Sequence, residues 1–338
     1  MSKAKVLLVG DYKEFPSEGM EVITKRFVDR LRSNGLNIST ITAKSFFLKM
    51  FVVLLLRYDK VIFTHGPGKG AYILTLLVSI FFGPQVIWVA TRPDISFNGF
   101  LDRFLFKLEK IYCGKRDQRL IQLAERCSAD FKQVIIGIDF ERLEAFNDSN
   151  IIKKSELIGE CGDVDVPMIL HVGHLRKNRG LDRLVEIKKK LGSKVNIVVI
   201  GSPSLSSDED VISYLNANNV NIYREHIPNL SSVYRVSDLY VFPVDPVNGG
   251  AIDLPLSVIE ALMCGVPVVS TRFGVLPEYF EENPCIMFDN GNLVDIAVEK
   301  IESGIDKVIK PSIDILPNEF NIDTLIDEVS GVVLKKNK

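Results

Sequence analysis

Short apolar runs alternate with helical patterns along the whole chain, and this alternation is the strongest constraint on its fold. In the first half, strands are expected at Val6–Val9, Lys60–Thr64, Val86–Ala90 and Val134–Ile136. Helices are expected between them at Met20–Ser33, Ala71–Phe82 and Phe100–Ile111. A helix that connects two successive strands of one sheet allows those strands to run parallel. The pattern therefore predicts an α/β protein with parallel sheets.

The same alternation begins again after a polar stretch. Residues 146–166 lose apolar periodicity, which is typical of a linker, and a second series starts at Met168–Val172. With 338 residues and 46% hydrophobic content, the chain is long enough for about two domains. We predict two Rossmann-like domains facing a cleft: residues 1–155, joined by a C-terminal helix in 320–338, and residues 165–318. Ligands of such folds bind at the carboxyl ends of the strands.

The five cysteines indicate a reducing compartment. They are odd in number, scattered and without a C-x-x-C pair, so neither a disulfide framework nor a zinc ribbon is supported. The apolar run Val6–Val9 is too short for a signal peptide. The longest apolar stretch, Ala71–Ala90, is broken by Gly83-Pro84 before it reaches the roughly 20 residues of a membrane span. We therefore expect a cytoplasmic protein.

One glutamate stands out in the segment 255–270, because Glu260 is its single charged residue. The helix predicted at Pro255–Cys264 must be buried on nearly all sides, and a buried carboxylate needs a partner. Hydroxyl groups of a ligand could supply it, and so could a structural arginine. Asp253 is expected to cap this helix. The loop ahead of it, Gly249-Gly250-Ala251, could bring backbone N–H groups to an anion, or be an ordinary glycine turn.

A second candidate site follows the strand Met168–Val172. The turn carries Gly173, His174, Arg176 and Arg179 just before a predicted helix. Such a turn is a plausible cradle for a diphosphate, and the alternative is a solvated basic turn. His171 and His174 are three residues apart, but no cysteine or carboxylate completes a zinc site, so no metal is expected.

Three sequence blocks in the second half resemble a known family, the group 1 retaining glycosyltransferases of the GT-B fold. The blocks are Gly173-His174-Leu175 followed by Arg179-Gly180, then residues 236–243, VSDLYVFP, and then residues 254–269, LPLSVIEALMCGVPVV. Val134–Asp139 is similar to the segment that closes the family's first domain. Glu18-Gly19-Met20 is similar to its glycine-bearing loop after the first strand.

The resemblance implies a hexosyltransferase that moves a sugar from a UDP- or GDP-linked donor to an acceptor glycan or lipid-linked sugar. Glu260 would then accept hydrogen bonds from the ribose hydroxyls, and Arg179 would bind the diphosphate. Phosphates and sugar would face Gly249, Gly250, Ala251 and the helix start at Leu256, together with Gly19, Gly173, His174 and Arg176. Fixed cations and backbone N–H groups can stabilise a departing diphosphate, so neither metal nor other cofactor is expected.

The sequence departs from the family pattern in three places. The family usually has arginine where this chain has His174, and Arg176 could substitute for it. The family usually has a glutamate eight positions before Glu260, where this chain has Ile252. The nearby carboxylates Asp253 and Asp245 are candidates for contacting the sugar, and spacing does not choose between them. The first-domain histidine of the family has no clear counterpart. His65, at the end of an earlier strand, is a candidate for that role, and the alternative is an ordinary loop residue.

Charge is unevenly distributed along the chain. Residues 1–150 hold 22 Lys and Arg against 16 Asp and Glu, although the whole chain has a net charge of -2. Arg103, Lys107 and Lys110 share the predicted helix 100–111 with three phenylalanines, which suggests either peripheral contact with an anionic membrane or a core helix with solvated cations. Nucleic acid is a poorer fit, since the pI is 6.2 and no aromatic-basic motif is present.

Two other functions remain open at this stage. A GT-B epimerase would convert the nucleotide-sugar with no acceptor present. A non-catalytic partner subunit would keep the nucleotide through Glu260 but lack turnover, as Ile252 and His174 could indicate.

Overall fold

The computed structural model divides the chain into two compact units, which we describe separately. Unit 1 comprises residues 1–139 and 318–338, and unit 2 comprises residues 140–317. The structure describes residues 4–14, 16, 19–42, 58–64, 68–80, 83–91, 101–144, 152–159, 162–202, 207–225, 227, 229–247, 253–304, 316 and 318–335. Among these residues, no helix combines the length and the apolar character needed to cross a membrane.

Unit 1 is built on a parallel sheet in the order β2-β1-β3-β4-β5-β6. Its strands are β1 (Lys5–Val9), β2 (Asn37–Ile41), β3 (Lys60–Phe63), β4 (Gln85–Ala90), β5 (Leu108–Cys113) and β6 (Asp130–Gln133). Its helices of more than one turn are α1 (Gly19–Ser33), α2 (Lys69–Ile80), α3 (Gln118–Cys127) and α12 (Ile322–Leu334). The central strands are buried on both faces, which explains their continuous apolar sequence.

The helix predicted at Phe100–Ile111 is wrong. A short 3-10 turn, Asp102–Phe104, precedes strand β5, which begins at Leu108. The charges of this strand are compensated in the fold, because Glu109 pairs with the buried Lys60. Arg103, Lys107 and Lys110 therefore do not share a helix.

Helix α12 completes unit 1 from the far end of the sequence. Arg26 of α1 donates two hydrogen bonds to Asp323, at 2.7 and 2.5 Å, and Arg30 donates two to Asp327, at 2.9 and 2.7 Å. A parallel bridge joins Ile138 to the residue before α12. These bidentate pairs fix the helix against α1.

Unit 2 repeats the architecture with the parallel order β12-β11-β10-β7-β8-β9. Its strands are β7 (Met168–Gly173), β8 (Asn196–Gly201), β9 (Asn221–Tyr223), β10 (Leu239–Phe242), β11 (Val268–Ser270) and β12 (Ile286–Phe288). Its helices are α4 (Phe140–Glu144), α5 (Lys154–Leu157), α6 (Asp182–Leu191), α7 (Glu209–Ala217), α8 (Leu230–Arg235), α9 (Leu256–Met263), α10 (Leu276–Phe280) and α11 (Leu293–Glu302). The predicted α/β class with two parallel sheets is confirmed.

The division between the units falls after Asp139 rather than after residue 155. Lys154, on α5, donates to Asp238 at 3.0 Å, and the N–H of Ile152 donates to Ser232 Oγ at 3.4 Å. These contacts attach the segment to unit 2 before its first strand.

Candidate functional site

The strand order of unit 2 reverses between β7 and β10, which opens a crevice at their carboxyl ends. The two strands pair through Leu239 with Ile169 and Tyr240 with Leu170, and the pairing ends there. Strand β7 continues to pair with β8 as far as Gly173. Ligands of open α/β sheets bind at such a reversal.

Two side chains bridge the strands where the backbone pairing stops. His171 Nδ1 lies 3.0 Å from the carbonyl oxygen of Val241. In the opposite direction, the Tyr240 hydroxyl of β10 donates to the Val172 carbonyl at 3.2 Å and accepts from the Val172 N–H at 3.4 Å. The bridges satisfy backbone groups that would otherwise be buried without partners. They also fix the spacing of the two strand ends.

The protonation of His171 follows from this contact. A carbonyl oxygen only accepts, so Nδ1 carries the proton and Nε2 keeps its lone pair. Burial lowers the pKa of His171 to about 4, which keeps the ring neutral at pH 7. Nε2 has no hydrogen-bond partner among the described residues, and a Cβ at position 173 would lie 2.8 Å from it. Gly173 is therefore required beside this imidazole.

The basic turn after β7 is held against the end of β10. Gly180 has φ of +66°, and a Cβ there would lie 2.2 Å from the Pro243 carbonyl oxygen. The same oxygen accepts a hydrogen bond from Arg183 at 3.2 Å. Arg179 is buried at 8% exposure, while Lys177 is exposed and pairs with Asp210 at 3.0 Å. The turn thus buries one cation near the crevice and exposes another.

The residues predicted to form the diphosphate cradle lie together at this strand end. Gly173 closes β7, and His174 and Arg176 follow it, both half-buried. The charge of Arg179 also acts on the buried ring of His171, as does that of His174. Positive charge therefore converges on the carboxyl end of β7, where an anion would be stabilised.

Glu260 lies on α9, whose other faces are buried as the sequence predicted. Its Oε2 accepts a hydrogen bond of 3.0 Å from the hydroxyl of Tyr234 on α8. Tyr234 is fully buried, and burial together with the charge of Glu260 raises the pKa of this phenol. Tyr234 therefore acts as the donor to a half-buried carboxylate.

The expected cap of α9 by Asp253 is wrong. Pro255 occupies the N-cap position with no side-chain cap, and the helix begins at Leu256. The backbone of Asp253 has another contact, since its carbonyl accepts the N–H of Val275 at 3.0 Å. Gly274 has φ of +55°, and a Cβ there would lie 1.9 Å from the same oxygen. The backbone at Asp253 is therefore in close contact with the backbone at Gly274 and Val275.

The other predicted site residues have different locations. Gly19 is exposed at the start of α1 in unit 1. His65, Gly249, Gly250, Ala251 and Ile252 lie outside the described residues. Within the described part of the chain, no group of three or more His, Cys, Asp or Glu side chains could hold a metal ion.

Sequence reasoning missed the two tyrosines and His171. Tyr234 and Tyr240 lie in the segment 230–242, whose sequence alone does not show which hydroxyls are paired. The available signal was a hydroxyl in a buried segment, because a buried phenol usually finds a hydrogen-bond partner. Neither partner, Glu260 nor Val172, could be identified without the fold.

Comparison with solved structures identifies the fold. HepE from Anabaena, in complex with UDP, has a TM-score of 0.66 at 15% identity over 98% of this chain and 99% of that chain. The E. coli trehalose-6-phosphate structure bound with UDP-2-fluoro glucose has a TM-score of 0.67 at 10% identity, over 99% and 100% of the two chains. Both are similar in fold, and the predicted GT-B fold is confirmed.

Sequence comparison identifies the family. The capsular polysaccharide biosynthesis glycosyltransferase CapM of Staphylococcus aureus is 28% identical over 176 residues, which is 50% of this chain and 43% of CapM. Matches to the curated relatives span 30% to 53% of the length of those proteins. The profile of the family Glycosyl transferases group 1 matches residues 152–321. This range is half of the chain and includes nearly all of unit 2. The chain belongs to the group 1 glycosyl transferase family.

Proposed function

We propose that this protein transfers a sugar from a nucleotide diphosphate-sugar to an acceptor, with retention of configuration and without a metal. One observation carries the proposal: the cation-bearing turn 173–179 and the carboxylate of Glu260 lie in the unit that matches the family, around one strand reversal. A cation and a carboxylate are the groups that a diphosphate and a ribose require.

Arg179 binds the diphosphate in this proposal. Its guanidinium is mostly buried, so its charge is poorly screened by water and stabilises the negative charge that develops on the leaving group. His174 and Arg176 add hydrogen-bond donors at the open side of the turn. Glu260 accepts hydrogen bonds from the ribose hydroxyls.

Uridine is the first base to test, because HepE and the E. coli relative in fold are bound to UDP and to a UDP-sugar. GDP is the second. In this proposal Asp253 contacts the transferred sugar, and His65 is a second candidate for that contact.

The Glu260→Gln variant tests the nucleotide site. We expect UDP to stabilise the wild-type protein in a thermal-shift assay, by about 2.7 kcal/mol at 100 times its dissociation constant. The variant should bind about tenfold more weakly or worse, because an amide replaces the charged acceptor. Glu209→Gln, on exposed α7, is the matched control and should bind as the wild type does. If neither UDP, GDP nor their sugars raise the unfolding temperature of the wild-type protein, the proposed function is wrong.

A non-catalytic subunit that binds the same nucleotide is the second candidate. Ile252, where the family usually has a glutamate, favours it. Incubation with radiolabelled donors separates the candidates, because a subunit of this kind binds but neither transfers nor hydrolyses. An epimerase would change the donor sugar without any acceptor.

A lipid-linked acceptor is favoured by an exposed apolar patch on unit 1. The N–H of Lys107 donates to Ser79 Oγ of α2 at 3.1 Å, which joins the segment before β5 to the end of α2. Phe106 is 52% exposed, Ile80 is 50% exposed and Phe104 is 41% exposed. Aromatic and aliphatic side chains beside a lysine suit an anionic membrane surface.

Flotation with vesicles containing anionic lipid tests this contact. We expect binding at low salt that Phe106→Ser weakens, whereas Tyr214→Ser, an exposed aromatic position in unit 2, leaves it unchanged. Absence of flotation at low salt would exclude a membrane-bound acceptor site of this kind.

A further inference from the structure

We infer that Tyr234 is a positioning residue for ribose recognition: its hydroxyl holds the carboxylate of Glu260 in the orientation that accepts the ribose hydroxyls. This inference rests on the proposed role of Glu260 and adds a second, buried residue to it. The contact is the hydrogen bond of 3.0 Å from Tyr234 to Oε2 of Glu260.

Tyr234 is held rigidly enough to orient another side chain. Helix α8 is capped by Asn229, whose side chain accepts the N–H of Ser232 at 3.1 Å. The Tyr234 ring is fully buried and lies against Tyr240, with 5.8 Å between the ring centroids. Neither the helix nor the ring can turn without disturbing this packing, so the hydroxyl is a fixed donor.

The second tyrosine connects the carboxylate to the basic turn. The Tyr240 hydroxyl binds the backbone of Val172, the residue before Gly173, and it also interacts with Ser257 on α9. Helix α9 is thus linked to the end of β7 through Tyr240 and to α8 through Tyr234. The acceptor for the ribose and the turn for the phosphates are fixed relative to each other.

Fixing the carboxylate has a thermodynamic consequence. A glutamate side chain has three rotatable bonds, and ordering them on binding lowers affinity. A carboxylate already oriented by a buried donor avoids this loss. In the proposed function only the ribose hydroxyls contact this carboxylate, so the benefit applies to their hydrogen bonds and not to those of the base or the phosphates. A role in packing alone would affect every ligand equally.

The test compares UDP with 2′,3′-dideoxy-UDP by isothermal titration calorimetry, using the full chain. The wild type should bind UDP more tightly by on the order of 100-fold, because two charge-assisted hydrogen bonds are lost in the analogue. Tyr234→Phe removes one hydroxyl. It should reduce the ratio of the two dissociation constants about tenfold, mainly by weakening the binding of UDP. Tyr72→Phe, in unit 1, removes a buried hydroxyl that donates to Asp102 rather than to Glu260, and should keep the ratio within about twofold of the wild type.

The outcomes separate the inference from the proposed function. If the wild type binds neither UDP nor GDP, the proposed function fails and the inference with it. If Glu260→Gln abolishes the ratio and Tyr234→Phe retains it, the inference alone is wrong. If Tyr234→Phe weakens both ligands equally, Tyr234 is a packing residue and the inference is again wrong.

The readout tolerates partial misfolding of the variant. Inactive protein lowers the stoichiometry in calorimetry but leaves the dissociation constant of the folded fraction unchanged. Tyr234→Met, which keeps a long apolar side chain without a hydroxyl, gives a second measurement and should lose the same part of the ratio.

Discussion

Protonation of His171 should make the stability of unit 2 depend on pH. The side chain is 1% exposed, and burial lowers its pKa from 6.5 to about 4. The nearby charges of Arg179 and His174 contribute to this lowering of the pKa. Unfolding exposes the ring and restores the ordinary pKa, so the unfolded chain binds more protons below about pH 6.5. The stability of unit 2 should therefore be lost progressively as the pH falls from about 6.5 towards 4.

The magnitude follows from the two pKa values. One pKa unit corresponds to about 1.36 kcal/mol, so a difference of about 2.5 amounts to about 3.4 kcal/mol once the pH is below both values. Between pH 7 and pH 5 the free energy of unfolding should fall by about 1.8 kcal/mol. In His171→Asn, the side-chain amide can still donate to the Val241 carbonyl but does not titrate. This part of the pH dependence should therefore disappear in the variant.

Urea titrations at several pH values measure the effect in each unit separately. Met168 is fully buried on β7, and its oxidation by peroxide, which depends little on pH, reports the unfolding of unit 2. Trp88, the chain's one tryptophan, is fully buried on β4, so its fluorescence reports unit 1 in the same samples. An equal pH dependence of Met168 protection in the wild type and in His171→Asn would refute the reasoning.

Two further predictions concern the backbone and the helix contacts. Gly180→Ala should lower the stability of unit 2 by about 2 kcal/mol or more, since it combines a strained φ with a clash at the Pro243 carbonyl. Gly35→Ala, at the end of α1, also has a positive φ, of +84°, but nothing within 4 Å, so urea titration followed by Trp88 fluorescence should show a loss of only about 1 kcal/mol. Arg26→Ala leaves the partly buried Asp323 without its bidentate donor and should destabilise unit 1 by about 2 kcal/mol, measured by Trp88 fluorescence. Equal losses for the two glycine variants, or unchanged Trp88 unfolding in Arg26→Ala, would contradict these accounts.

The sequence was most informative where one element carries one strong pattern. The helix predicted at Met20–Ser33 and the strands predicted at Val86–Ala90 and Met168–Val172 have the bounds of α1, β4 and β7 to within one residue, because apolar spacing defines them. Helix α1 ends at Ser33 as predicted, and Gly35, two residues later, adopts φ of +84°. These features depend on residues that are close in sequence.

Prediction failed where distant residues decide the outcome. Strand β5 carries Glu109 and Lys110 among apolar residues, so its pattern resembles an amphipathic helix. Both charges are paired by residues remote in sequence, Lys60 for Glu109 and Glu328 for Lys110. At the site, Glu260 was identified by its isolation in an apolar helix. Its partner Tyr234 lies 26 positions earlier and could not be chosen from local spacing.

The discontinuity of unit 1 sets an order of events during protein synthesis. Asp323 and Asp327 are translated only after the whole of unit 2, so Arg26 and Arg30 leave the ribosome long before their partners exist. Domains generally fold as their sequence becomes available. Unit 2 is continuous from residue 140 to residue 317. It can therefore complete its folding before unit 1 does, although its sequence begins later. In the nascent chain, the surface of α1 that contacts α12 therefore stays uncovered until α12 has been translated.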